Sequence, residues 1–155
     1  MWIPPEVADP VVLHHPTRKS VGYFGAVRLR DGKLVCRRET DRFNGETYLR
    51  FLRHLKCRAT HSGRRVVLIV DNAKYHHARL HKEWRRLQAP EFDMYFLPPY
   101  SPELNPIERV WKLTRRKCIH NEYFAELDNL IETVELQFEM WSESNATLRQ
   151  LCAIT

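Results

Sequence analysis

A mixed α/β sheet flanked by helices is the fold class this sequence predicts, and three observations carry it. Val21 to Arg30 alternates and is rich in Val, Tyr and Phe before the turn pair Asp31-Gly32; Val66 to Val70 is an unbroken run of Val, Leu and Ile; and four other stretches place apolar residues at helical spacing. Hairpin, helix, buried strand, helix, strand, helix is an order that builds a sheet with helical cover. At 155 residues the chain is expected to form one domain spanning residues 1–155.

The elements follow in chain order. Met1 to Ser20 contains Pro4, Pro5, Pro10 and Pro16, so apart from the brief run Val11 to Leu13 it reads as extended or irregular. Val21 to Arg30, the Asp31-Gly32 turn and Lys33 to Arg38 make a β-hairpin. Asn44 is a candidate N-cap for a helix carrying Tyr48, Phe51, Leu52 and Leu55 inward as far as Lys56 or Cys57. Five consecutive branched residues, Val66 to Val70, predict a parallel strand buried on both faces, with Asp71 at its end. Leu80, Trp84 and Leu87 predict one amphipathic helix over about 74–88 with a basic outer face, stopped by Pro90. Met94 to Leu97 reads as a short strand before the Pro98-Pro99 and Ser101-Pro102 turns, and a helix follows Asn105, with Pro106 at its first position, to about Cys118. Phe124, Leu127, Ile131, Val134, Phe138 and Trp141 mark a last amphipathic helix, acidic outside, whose seam packs on the core or forms a dimer contact.

Composition excludes several classes. Apolar residues make up 43% and charged residues 28%, with no low-complexity tract, no apolar run of membrane-spanning length and no basic-then-apolar leader. A soluble, intracellular protein is expected, without a membrane partner. Cys36, Cys57, Cys118 and Cys152 are scattered and read as reduced thiols, not disulfides or zinc ligands. The net charge of +6 is uneven: from Asn121 onward seven acidic residues face one basic residue, so the first 120 residues carry +12. Such charge suits a polyanion, because neutralising phosphates releases counterions; a basic surface for an acidic protein partner would look the same.

Two carboxylates stand where a fold edge would hold them. Asp71 lies beyond the carboxyl end of a strand, where α/β sheets bind ligands, although Asp at a strand end also turns the chain or caps a helix. Glu108 falls at the third helical position after Asn105, where a capping acid is expected. At 100° per residue it also stands at the seam between an apolar stripe, Ile107, Val110, Trp111, Thr114 and Cys118, and a basic sector, Arg109, Lys112, Arg115 and Arg116. Two converging carboxylates near basic surface suit Mg²⁺ or Mn²⁺, which take oxygen ligands and leave positions for phosphate. Arg109, Lys112, Arg115 and Arg116 are candidates for DNA-backbone contact, against an ordinary solvated face. Tyr100 and Ser101 can touch DNA, or Ser101-Pro102 can serve only the turn. Asn72 can support Asp71 or cap. His76 can orient an acidic ligand or be structural.

The runs DNAKYHHARL and LPPYSPELNPIERVWKLTRR resemble the catalytic core of the DDE-superfamily endonucleases, the mariner-like insertion-sequence transposases. Trp2-Ile3-Pro4, Gly22 to Val27 and Asp31 to Val35 extend the resemblance over most of the chain. It implies a ribonuclease H-like fold, Mg²⁺ or Mn²⁺ as cofactor, and Asp71 and Glu108, 37 positions apart, as the second and third members of a metal-binding acidic triad. His76 matches the family's motif histidine. The family's first Asp lies on a strand upstream of the segment matching Trp2, and Asp9, Asp31 and Asp41 do not match it. The chain is therefore expected to be an N-terminally truncated catalytic domain whose first, central strand is missing, with Val11 to Leu13 or another chain filling the gap. The implied function is DNA transposition: metal-dependent cleavage at transposon ends, then attack of the freed 3′-OH on target DNA, in a bacterial cytoplasm and at the nucleoid when bound. A non-catalytic nucleic-acid-binding module of the same lineage is the alternative, and a homodimerisation unit built on the Phe124 to Trp141 seam is a third.

Overall fold

β-branched and aromatic residues suit a pleated, half-buried surface, and the first such stretch forms β2, Ser20–Val27. In the computed structural model, which describes residues 11–13, 20–59 and 63–154, β2 pairs antiparallel with β3, Leu34–Glu39, from Gly22 opposite Glu39 to Val27 opposite Leu34. Gly32 turns the chain between them at φ 76°, a left-handed conformation that glycine adopts without a Cβ clash. Val11–Leu13 is a strand, β1, antiparallel to β2 on its other edge. The remaining strands, β4 at Val66–Val70 and β5 at Phe92–Phe96, form a separate parallel pair. Mixed strand directions are thus present, distributed over two sheets of order β1-β2-β3 and β4-β5.

Helices occupy Gly45–Ala59 (α1), Leu80–Gln88 (α2), Pro106–Cys118 (α3), Leu127–Met140 (α4) and Ala146–Leu151 (α5). Two compact units result. Unit one draws on the described residues up to Thr40 and from Pro106 onward; unit two is Asp41–Asn105.

Unit one buries the inner faces of α3 and α4 against the hairpin. Val21, Tyr23 and Leu34 join Val110, Trp111, Leu113, Leu130, Val134, Phe138, Trp141 and Leu148 in one core. The α4 seam is therefore taken up by core packing, which removes its buried residues as a dimer contact. Trp111 lies so close to Gly25 that a Cβ there would come within 2.5 Å of the indole ring. Helix α5, which no apolar periodicity announced, is capped by Asn145, whose side chain accepts from the Leu148 N–H at 2.8 Å and donates to the Gly32 carbonyl at 2.9 Å. That bond ties the C-terminal helix to the hairpin turn.

Unit two is built on α1. Asn44 caps it as the sequence predicts, its Oδ1 accepting from the N–H groups of Glu46 and Thr47, while Thr47 Oγ1 accepts from the Asn44 N–H at 2.9 Å. Tyr48, Phe51, Leu52 and Leu55 are buried. Two expectations need correction here. β4 is not buried on both faces: Val67 is 51% and Ile69 44% exposed, so the strand alternates, although its composition is uniformly apolar. The helix expected over 74–88 is broken into a 3-10 turn, Lys74–His77, and the nine-residue α2. Leu80 and Leu87 face water at 56% and 68% exposure, and His81, fully buried, takes the inward position with half-buried Trp84. Trp84 packs edge-on against Phe92 at 5.5 Å.

Candidate active site

All five residues of β4 pair with β5, and the Leu97 N–H extends the ladder by donating to the Val70 carbonyl at 2.7 Å. The carboxyl ends of the two strands are thereby held side by side, and Asp71 is the first residue beyond. Its Oδ1 accepts from the Ala73 N–H at 3.0 Å, the turn-forming bond open to an Asp at a strand end. The same oxygen accepts from His76 Nδ1 at 2.9 Å. His76 Nδ1 also faces the Asp71 carbonyl at 3.0 Å, so both neighbours are acceptors and the ring carries its proton there. The His76 bond, above all, holds the Asp71 carboxyl below its ordinary range, outweighing the burial that pushes it up. Asp71 is an ionised carboxylate whose Oδ1 is doubly bonded and whose Oδ2 takes neither bond.

His76 is itself held firmly. Buried at the end of the 3-10 turn, it lies over the Tyr48 ring at 4.5 Å and edge-on to Tyr75 at 4.6 Å. The Tyr75 carbonyl accepts from His81 Nε2 at 2.8 Å, and burial of His81 pushes its pKa down, which keeps the imidazole neutral. Tyr48 and His81 are supports that sequence reasoning missed; Tyr48 reads as helix core, and His81 falls outside the Leu80, Trp84, Leu87 stripe.

Asn72 does not reach the Asp71 side chain. Its Nδ2 donates to the Leu97 carbonyl at 2.6 Å, which turns Oδ1 toward His77 and makes it the acceptor from His77 Nε2 at 3.2 Å. His77 in turn stacks on Phe96, ring centroids 4.3 Å apart and planes 12° from parallel. Tyr100 is fully exposed and sits at φ 57°, between Pro99 and Ser101-Pro102.

Glu108 belongs to unit one and Asp71 to unit two, so each half is described in its own unit. Glu108 lies in the first turn of α3, half-buried, at the border the helix geometry predicts. Val110, Trp111, Leu113, Thr114 and Cys118 are buried on one side; Arg109, Lys112, Arg115 and Arg116 are exposed on the other. Arg109 is committed within its own unit: Nη1 donates to the carbonyls of Leu151 and Ala153, each at 3.1 Å, closing the end of α5. Among the described residues no group of three or more His, Cys, Asp or Glu side chains stands ready to hold a metal. Asp31 is bound to Arg28 and Ser144 in the hairpin turn, and Asp41 pairs with Arg50; Asp9 lies outside the described residues. All four cysteines are free thiols, and no helix among the described residues is long and apolar enough to cross a membrane.

The fold is that of an α/β protein of ribonuclease H-like architecture; in unit two Asp71 stands at a strand end, and in unit one Glu108 stands at the start of a half-basic helix. The fold matches solved transposase structures: a chain of the Mos1 strand transfer complex at TM-score 0.67 and 16% identity, covering 98% of this chain and 44% of that one. A chain of the Mos1 mariner paired end complex with Mn matches at TM-score 0.65 and 15% identity, covering 98% and 46%. Residues 2–131 match the family model of the DDE superfamily endonucleases, and the chain belongs to that family. An uncharacterized protein, y4pE/y4sA, of Sinorhizobium fredii is 36% identical over 75 residues, 48% of this chain and 51% of that protein. The uncharacterized 39 kDa protein of insertion element IS630 from Shigella sonnei is 26% identical over 110 residues, 71% of this chain and 31% of that protein. The chain thus spans about half or less of the length of these relatives.

Proposed function

We propose that the chain is the metal-dependent catalytic part of a DDE-type DNA transposase, with Asp71 and Glu108 as ligands of Mg²⁺ or Mn²⁺. The observation that carries this reading is the asymmetry at Asp71. His76 and Ala73 fix the carboxylate through Oδ1 and lower its pKa, and among the described residues neither bond uses Oδ2, the oxygen assigned here to the cation. A carboxylate needed only to turn the chain would be served by the Ala73 bond alone. The donor set fits a hard cation, and a neighbour orienting a metal-binding carboxylate is the usual outer-shell arrangement. When bound, such ions activate water and stabilise the leaving oxygen in phosphodiester cleavage. The chain's own residues supply position: the β4-β5 ladder holds Asp71, the first turn of α3 holds Glu108, and exposed Lys112, Arg115 and Arg116 offer the DNA backbone charge. The same activity would then join the freed 3′-OH to target DNA. Asp31 and Asp41 do not match the position of the family's first Asp and are engaged in ion pairs, which supports looking elsewhere for the third carboxylate. A cytoplasmic protein gathered at the nucleoid, acting as a dimer on paired ends, fits this role.

The test is cleavage of duplex DNA by the 155-residue chain with Mn²⁺, alongside Asp71→Asn and Glu108→Gln. Cleavage lost in both variants, with folding retained by circular dichroism, is the expected result; cleavage that survives both removes the assignment. One observation favours a second reading, a DNA-binding module without chemistry: among the described residues no cluster of three metal-capable side chains is present. Salt-sensitive DNA binding by the wild-type chain without any cleavage would establish that module.

A further inference from the structure

We propose, resting on the metal reading above, that His81 is a positioning residue for Asp71: its bond to the Tyr75 carbonyl anchors the turn that presents His76, and so keeps the imidazole on the carboxylate.

The turn is weakly built on its own. Lys74–His77 is a single 3-10 turn, and Ala73 before it supplies no side-chain cap; such turns have poorer hydrogen-bond geometry than an α-helix. Ala78 follows at φ −59° and ψ 137°, an extended conformation, so α2 does not continue the turn as a rigid rod. Within the backbone the Tyr75 carbonyl takes only a long bond, from the Ala78 N–H at 3.3 Å. From beyond the break, His81 Nε2 donates to the same carbonyl at 2.8 Å. That shorter bond joins α2 to the turn.

Packing alone does not account for a histidine at this position. His81 is fully buried, and its Nδ1 has no hydrogen-bond partner among the described residues. An unpaired buried nitrogen is unfavourable, and a leucine would fill the space without one. Arg85 on the same helix and His76 and His77 in the turn are basic neighbours of the ring, and burial also opposes a charge there. Tyr48 of α1 stands edge-on to it at 5.3 Å. The neutral ring carries one N–H, and because a carbonyl can only accept, that proton is on Nε2. It is spent on the residue directly before His76, whose Nδ1 meets Asp71 Oδ1 at 2.9 Å.

The experiment uses the whole chain, with histidine labelled by ¹⁵N, as wild type, His81→Leu, which fills the space without a donor, and His81→Gln, whose amide can still donate to the carbonyl. The His76 Nδ1–H signal is followed by NMR in the metal-free protein, and Mn²⁺ affinity by calorimetric titration. His81→Leu should lose the signal and bind Mn²⁺ roughly tenfold more weakly, the low end for outer-shell partners, while its thermal midpoint stays at or above that of the wild type. His81→Gln should keep both signal and affinity. A His81→Leu protein that retains both overturns the positioning role and leaves His81 a core residue, as does equal loss in the two variants. Should His81→Leu fail to fold, His81→Met takes its place. A wild type that binds no Mn²⁺ overturns the metal reading of Asp71, whereas the His76 signal, read without metal, decides by itself whether His81 holds the ring.

Discussion

His76 decides what Asp71 can do. A strand-end Asp with only its turn-forming bond would rotate freely about its side chain; the second bond, from a buried imidazole resting on Tyr48, fixes the plane of the carboxylate and its charge. Replacing His76 with Ala should therefore weaken Mn²⁺ binding by roughly ten- to a hundredfold, the usual effect of removing an outer-shell partner, measured by calorimetric titration. His76→Asn, which can still donate, should recover part of the loss. A second residue-scale prediction concerns Gly25. A Cβ there would meet the Trp111 ring at 2.5 Å, so Gly25→Ala should cost about 1–3 kcal/mol through overpacking, read as a lower thermal midpoint.

At the scale of elements, the hairpin turn is the joint of unit one. Arg28 donates two bonds to Asp31, Ser144 donates a third, and Asn145 bonds both the Asp31 carbonyl and the Gly32 carbonyl. These bonds favour ionised Asp31, whose pKa falls well below its ordinary 3.8, with the Arg28 bond as the largest cause. A carboxyl group with a depressed folded-state pKa contributes stability that is complete above its unfolded value and is lost as pH falls toward the folded value. Unfolding curves should thus show stability falling below about pH 4, and Asp31→Asn should flatten that fall while lowering stability at neutral pH. Asn145→Ala removes the α5 cap, which is worth about 1 kcal/mol, and the link to Gly32 as well. Amide hydrogen exchange in 146–151 should rise in that variant before the rest of unit one responds.

For the molecule as a whole, the charge division is the property most open to measurement. Residues 41–105, with twelve Lys and Arg against seven Asp and Glu, carry +5 of the +12 borne by the first 120 residues, and the segment from Asn121 onward, α4 included, carries the compensating acids, with Glu135 bound to Arg38 at 3.1 Å and accepting from the Tyr23 hydroxyl at 3.2 Å. DNA affinity should fall linearly with the logarithm of salt concentration, and Lys112→Ala, Arg115→Ala or Arg116→Ala should each reduce that slope by about one if the residue contacts a phosphate. Arg109→Ala should instead loosen α5, because its guanidinium already bonds the Leu151 and Ala153 carbonyls.

Much of this was legible in the residues alone. Alternation and the Asp31-Gly32 turn identified the hairpin, Asn44 the start of α1, and Pro106 the start of α3, because these are local preferences of the backbone. The two long motifs named the family for the same reason: the information lies along the chain. Burial is a property of neighbours in space, and there the sequence misled. Val67 and Ile69 read as core yet face water, and Leu80 and Leu87 read as core while His81 is the buried residue, although the whole predicted stripe lies within α2: which face turns inward is set by what packs against the helix. Only tertiary structure could bring Tyr48, from α1, beneath His76 and so turn a motif histidine into a buried donor that fixes the Asp71 carboxylate through Oδ1.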